Sequence, residues 1–283
     1  MTAGRLDRWR ERGDAARTRL EDARSRHASV ELGWSLFEGD TAIGGGLLAG
    51  ALAYRLFVLF LPTSLLLVSG VGLYAGAADK STRQVTKEAG LHGLFASNVA
   101  ATASSNARWL VFILMIPAVL YAAAKLYRAL AIVHGLVWHS TGRARGRMTR
   151  RGVGLLLAVL FAVLVATEVV SWIRRHDQLG GLVALAVYTA IVGGAWLALS
   201  LHLPHGEARW TALLPGAALF GAGLLAVNVF NVYVTARLVE DRANTYGALG
   251  VATALLFSLV LVGRVAVLSA ELNAALFRLR ARV

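Results

Sequence analysis

Long apolar runs with few charges divide the sequence. Leu56–Ala78 carries no charge, and Trp109–Ala124 is uncharged before running on through Lys125 and Arg128. Gly152–Ile173 holds one charge, Glu168. Gln178–Leu201, Trp210–Ala236 and Ala243–Gly263 hold none, and the last continues through Arg264 to Phe277. A helix needs about 20 mostly apolar residues to cross a bilayer. The runs are continuous rather than alternating at every second residue, which argues against a transmembrane barrel. The pattern predicts an all-α polytopic integral membrane protein with six transmembrane helices, at about 56–78, 109–130, 152–173, 178–201, 210–236 and 245–268. A domain over 41–283 holds these spans, and residues 1–40 form a separate N-terminal amphipathic helix.

That N-terminal segment has a different pattern. Leu6, Trp9, Gly13, Ala16, Leu20, Ala23, His27, Val30, Trp34 and Phe37 recur at steps of three and four, which is helical heptad spacing. The seam is weak, because glycine, alanine and histidine make poor knobs. A helix lying along the membrane surface, with Trp34 and Phe37 at the interface, is the leading reading. A coiled-coil partner and a solvated tail are the alternatives. No short apolar run followed by a cleavage site is present, so the segment is not a signal peptide.

Composition agrees with the spans. Of 283 residues, 57% are hydrophobic and only 16% charged, against roughly 25% in soluble domains. The absence of cysteine excludes a disulfide scaffold and thiolate metal sites. The formal charge of +13 needs an account. With six spans, the N-terminus, loops 2 and 4 and the C-terminus share one side. That side holds 19 Lys and Arg, against 8 in loops 1, 3 and 5. The positive-inside bias makes this side cytoplasmic. The run of arginines at 143, 145, 147, 150 and 151 is explained the same way, with anionic lipid contact and no nucleic acid as partner. Asp79–Arg108, the longest segment on the other side, is too polar to span and suits short surface helices.

Catalytic motifs are absent. Gly44-Gly45-Gly46-Leu47-Leu48-Ala49 matches a dinucleotide fingerprint, but no strand precedes it. Gly46-x-x-x-Gly50, Gly72-x-x-x-Gly76, Gly193-Gly194, Gly221 and Gly223 read instead as close helix packing, which also makes a homo-oligomer plausible. Pro62 and Pro117 fall inside spans, where each removes a backbone donor. Histidines 27, 92, 134, 139, 176, 202 and 205 are scattered, so no metal or cofactor is expected.

Polar groups inside spans carry the functional information, because they are costly there. Toward the side of the termini lie Arg55, Lys125, Arg128 and Arg264, with Glu271 and Asn273 in support. Toward the other side lie Glu168, Asn228 and Asn231. The basic group suits an anionic headgroup, since arginine's planar fork grips phosphate with two bonds. Its plain alternative is snorkelling to the lipid headgroups, with a structural Arg264–Glu271 or Arg128–Glu271 pair.

Several of these positions also carry a family resemblance. Ala51-Leu52-Ala53-Tyr54-Arg55 with Leu61-Pro62, and Tyr121 through Leu130, precede Leu214-Pro215-Gly216-Ala217. Tyr246-Gly247-Ala248-Leu249-Gly250 and Ala270-Glu271-Leu272-Asn273-Ala274 follow. In this order they resemble the YihY/BrkB family of bacterial inner-membrane proteins, over about residues 40–277. The resemblance implies six spans, the bacterial cytoplasmic membrane and a suggested role in envelope lipid transport. Some members carry the label ribonuclease BN; this sequence has no phosphodiesterase metal motif and is read as no enzyme. Leu56-Phe57-Val58 departs from the family's more polar stretch. The expected function is a lipid or amphiphile translocase, with a non-catalytic scaffold docking a cytoplasmic partner as the alternative.

Overall fold

The computed structural model describes residues 28–77, 108–139, 149–176, 180–231 and 248–280. Expectations for residues 1–27, for 79–107, for the arginines at 143, 145 and 147, and for Tyr246-Gly247 lie outside them. The described residues are almost all helical, with no strand among them. A helix α1, Ala28–Ile43, leads into α2, Gly45–Ala77, which is the first span. The others are α3 (Arg108–Val137), α4 (Arg150–His176), α5 (Gly180–Ser200), α6 (Leu214–Phe230) and α7 (Ala248–Arg280), with a short 3₁₀ turn at Trp210–Leu213. Six of these helices are long and apolar enough to cross a membrane.

Gly44 separates α1 from α2. Its φ of +66° lies in the left-handed region, where a side chain is costly and glycine is not. The chain therefore breaks its helix here although both flanks are helical.

Spans 1, 2 and 6 exceed their expected limits: α2 begins at Gly45 rather than Leu56, α3 runs to Val137, and α7 ends at Arg280. The apolar-run criterion stops at the first charge, but the helix does not. Past Arg55, Arg128 and Arg264, these helices keep burying Ala49, Leu52, Ala53, Ala131, Val133, Ala270 and Ala274. The helices thus extend beyond the lipid while still packing.

The spans form a ring. α2 packs extensively on α3 and α7, α7 on α6, α6 on α5, and α5 on α4. The α3–α4 contact that closes the ring is slight. Close backbone approach holds the tight joints. A β-carbon at Gly221 would stand 2.5 Å from the Thr189 carbonyl oxygen, and one at Gly263 would stand 2.5 Å from that of Ala49. Gly193 against Ala217 and Gly223 against Val265 are similar, as the glycine pattern suggested. Gly46, Gly50 and Gly194 do not behave this way, because their missing side chains face open space.

Aromatic rings complete the packing between helices. Trp196 of α5 stacks on Phe220 of α6 at 3.9 Å, with buried His134 of α3 beside it at 6.0 Å. Tyr127 of α3 donates its hydroxyl to the His202 carbonyl at 2.9 Å, and its ring occupies the place where a side chain at Gly152 would stand.

The start of α6 is locked to α7. Gly216 donates its backbone N–H to Asn273 Oδ1 at 2.7 Å, satisfying a helix-start donor that has no partner in its own helix. A β-carbon at Gly216 would overlap Asn273 and the Ser269 carbonyl. Two segments far apart in sequence, Leu214–Ala217 and Ala270–Ala274, therefore meet at one contact. Gly216→Ala is expected to destabilise the bundle by about 1–3 kcal/mol through overpacking, read as a lowered Tm of the purified protein in detergent. Gly46→Ala, facing open space, is expected to leave Tm unchanged.

Candidate functional site

Depth along the helices follows from a rise of about 1.5 Å per residue. Tyr74 ends span 1 and Trp109 begins span 2; they are 60% and 63% exposed. Each lies 19 residues from the cation of its own span, Arg55 or Arg128. That interval is about 28 Å, close to the roughly 30 Å of bilayer hydrocarbon. Aromatic rings mark one edge of the apolar band and arginines the other. Below that second edge project the start of α2, the ends of α3 and α7, and α1. This side is the terminal face.

Arg55, Lys125 and Arg128 share the edge. Arg55 and Arg128 are exposed, and Lys125 is half-buried. Arg55 lies over the Tyr54 ring at 5.9 Å, and the Lys125 ammonium lies 5.0 Å from the Tyr121 centroid. Tyr121, Lys125 and Arg128 follow helical spacing along one side of α3, so they form a cationic and aromatic stripe.

Arg264 stands apart from this stripe. Its Nη1 and Nη2 donate to the two carboxylate oxygens of Asp40 at 2.5 and 2.6 Å. The pair is partly buried, Arg264 being 34% and Asp40 16% exposed. The sequence pattern offers Arg264 a headgroup or Glu271 as partner; in the structure Asp40, from α1, engages its fork. Gly45 makes the geometry attainable. A β-carbon there would overlap Asp40 Oδ1 and lie 3.0 Å from Arg264 Nη1. Asp40 was visible in the sequence only as one of eight acids in the N-terminal segment.

Glu271 and Asn273 are both 3% exposed and lie two residues apart on α7, on different faces of the helix. Asn273 holds Gly216, as described. The Glu271 carboxyl stands within hydrogen-bonding reach of Asp40, so it belongs to the same charge cluster as the Asp40–Arg264 pair. Glu271 lines a cavity of about 380 Å³ together with Glu31, Glu38, His139 and Arg278.

A second cavity lies within the apolar band. Spans 1 and 3 make little direct contact. Between them is a cleft of about 340 Å³, lined by Leu56, Leu59, Phe60 and Thr63 of α2, Leu160 and Val163 of α4, and Leu259 of α7 among others. Its α2 wall straddles Pro62, with Thr63 and Ser64 returning their hydroxyls to the backbone carbonyls of Leu59 and Leu61 at 2.8 Å. The hydroxyls thus add no free donor to an apolar wall. Its α2 wall starts at Leu56; Arg55, the preceding residue in the chain, is not among the lining residues.

Of the opposite polar group, Asn228 and Asn231 are half-buried, and Asn231 Oδ1 accepts from Ser258 of α7 at 2.8 Å. Glu168 lies on α4, and its side chain is outside the described set. His202 and His205 each place Nδ1 against a backbone carbonyl, at 3.0 and 2.7 Å. Among the described residues, no group of three or more His, Cys, Asp or Glu could hold a metal ion.

No family model, curated protein or solved structure matches this chain. The site therefore has to be read from its own geometry.

Asp40→Asn and Arg264→Ala are each expected to cost roughly 1–3 kcal/mol of stability, since each strands a partly buried charge. A double-mutant cycle in detergent unfolding is expected to show strong coupling between the two positions. Arg264→Lys is expected not to restore stability, because an ammonium cannot bridge both oxygens as the guanidinium does.

Proposed function

We propose that this chain is a bacterial inner-membrane protein of the YihY/BrkB type that moves a lipid or related amphiphile across the bilayer, and that it is not an enzyme. The acyl chain occupies the cleft between spans 1 and 3. The anionic headgroup lies at Arg55, Lys125 and Arg128. One observation carries this reading: an apolar cleft large enough for part of an acyl chain lies between spans 1 and 3, and its α2 wall starts at Leu56, at nearly the depth of Arg55. Arginine and lysine at the hydrocarbon edge lower the cost of bringing a phosphate there. Asn228, Asn231 and Glu168 offer polar groups toward the other leaflet, where the headgroup leaves. Arg264 is excluded from headgroup capture by Asp40, and it acts through the shape of the terminal face.

The terminal face is cytoplasmic in this proposal, supported by its excess of Lys and Arg, 19 against 8. A scaffold docking a cytoplasmic partner is the second reading. It draws on Trp34 and Phe37 of α1, whose rings are exposed. Deleting residues 1–38 separates the two, since Asp40 is retained. Intact lipid movement with lost partner capture favours the scaffold.

Two measurements test the proposal. In vesicles carrying the purified protein and a fluorescent anionic lipid, Val163→Trp and Arg55→Ala are each expected to slow transbilayer exchange about tenfold, equal to about 1.4 kcal/mol of barrier. Wild-type rates in both variants overturn it. Because the chain has no cysteine, single thiols report sidedness cleanly. Asp79→Cys is expected to react with an impermeant maleimide added outside intact cells, and Glu207→Cys only after lysis.

A further inference from the structure

The three cations at the terminal edge of the apolar band lie at nearly one level. A β-carbon at Gly70 of α2 would stand 3.4 Å from the Phe112 ring of α3, which fixes how these two antiparallel helices pair. From that contact Arg55 lies 15 residues along α2 toward the terminal face, and Lys125 and Arg128 lie 13 and 16 residues along α3. At a rise of about 1.5 Å per residue, the intervals are about 22, 20 and 24 Å. The two helices pack extensively on one another.

These charges are unmatched. Neither α2 nor α3 contains an Asp or Glu. Among the described residues, none of Arg55, Lys125 and Arg128 forms an ion pair with an acid. Arg264 makes the contrast, with both Nη atoms on Asp40. The partners of the stripe are rings instead, Tyr54 beneath Arg55 and Tyr121 beside Lys125. On α3 the residues Ala122, Ala123, Leu126 and Tyr127 are buried, whereas Tyr121 and Arg128 are exposed. That side of α3 therefore faces away from the core, and a ligand reaches it laterally from the surrounding leaflet.

Charge then selects among headgroups. Like charges gathered at a hydrocarbon edge are costly, and a counter-anion offsets that cost in proportion to its own charge. A phosphodiester brings one negative charge and two free oxygens. A phosphomonoester brings about 1.5 to 2 negative charges at neutral pH and three acceptor oxygens. Two planar forks and one ammonium supply donors enough for all three. We propose that Arg55, Lys125 and Arg128 select a lipid phosphomonoester, the headgroup class of phosphatidate, over a phosphodiester such as phosphatidylglycerol. This selectivity rests on the reading of the same cations as the headgroup site. The outward-facing position at the hydrocarbon edge makes the source a lipid rather than free phosphate.

The test uses the full-length protein in a neutral detergent. Dioctanoyl phosphatidate and dioctanoyl phosphatidylglycerol, which share their tails, are titrated by calorimetry. At about pH 8, phosphatidate is expected to bind about tenfold more tightly. At about pH 5, below the second ionisation of a phosphomonoester, that preference is expected to shrink to about threefold or less. The pH readout acts on the lipid, since the titratable side chains of the stripe, Arg55, Lys125, Arg128, Tyr54 and Tyr121, include no acid or histidine. Arg55→Ala and Arg128→Ala are each expected to reduce the preference at about pH 8 to about threefold or less. Both side chains are exposed, so an unchanged Tm is expected to accompany the loss. Arg209→Ala, which removes an exposed cation outside the stripe, is expected to leave the preference intact. Excess inorganic phosphate is expected not to displace phosphatidate. Equal affinity for the two lipids at about pH 8, a full preference in both arginine variants, or displacement by inorganic phosphate each overturns the proposal. Equal, tight binding of both lipids leaves the transport reading standing. A phosphatidate preference without transbilayer exchange in vesicles overturns the transport reading alone.

Discussion

Arg264 is partly buried among the helices, where an unpaired guanidinium is costly. Asp40 neutralises it with two parallel hydrogen bonds, the geometry for which a planar fork is suited. Much else follows from this pair. It pins the last turn of α1 onto α7, and α1 then forms one wall of the terminal cavity. The same Asp40 carboxyl also stands beside Glu271, which joins Glu271 to the pair in one charge cluster. The contact of Gly216 with Asn273 is a second lock on the same stretch of α7. The terminal half of α7 is therefore held on both sides, by the start of α6 and by α1.

The six spans were legible because a bilayer imposes a simple rule on composition: uncharged runs of sufficient length have one outcome. Their ends were less legible. Arg55, Arg128 and Arg264 interrupt the apolar runs without interrupting the helices, so spans 1, 2 and 6 extend further than hydropathy alone indicates. Small residues such as Ala49, Ala53, Ala270 and Ala274 continue the packing where lipid no longer demands apolarity.

The candidate site was legible in part. Arg55, Lys125 and Arg128 lie on the two packed helices α2 and α3, each near the terminal end of its apolar run. The partner of Arg264 was not legible, because Asp40 lies 224 residues away in the chain and no local pattern distinguishes it from the other acids nearby. The signal that could have found it is the glycine run that follows. Gly44 and Gly45 look like a weak nucleotide fingerprint or a packing motif, yet one supplies a left-handed turn and the other makes room for a carboxylate. The cleft between spans 1 and 3 could not be read at all, since it depends on which helices fail to touch.

The joint between α1 and α2 acts as a gauge of length. Each residue inserted into or removed from the helix before Gly44 turns what precedes it by about 100°. A single insertion between Asp40 and Gly45 would carry Asp40 away from Arg264 and swing Glu31 and Glu38 off the cavity wall. The stretch is thus constrained twice, in identity at Gly44 and Gly45 and in register along its length. The spacing there, together with the two glycines, keeps the terminal face assembled.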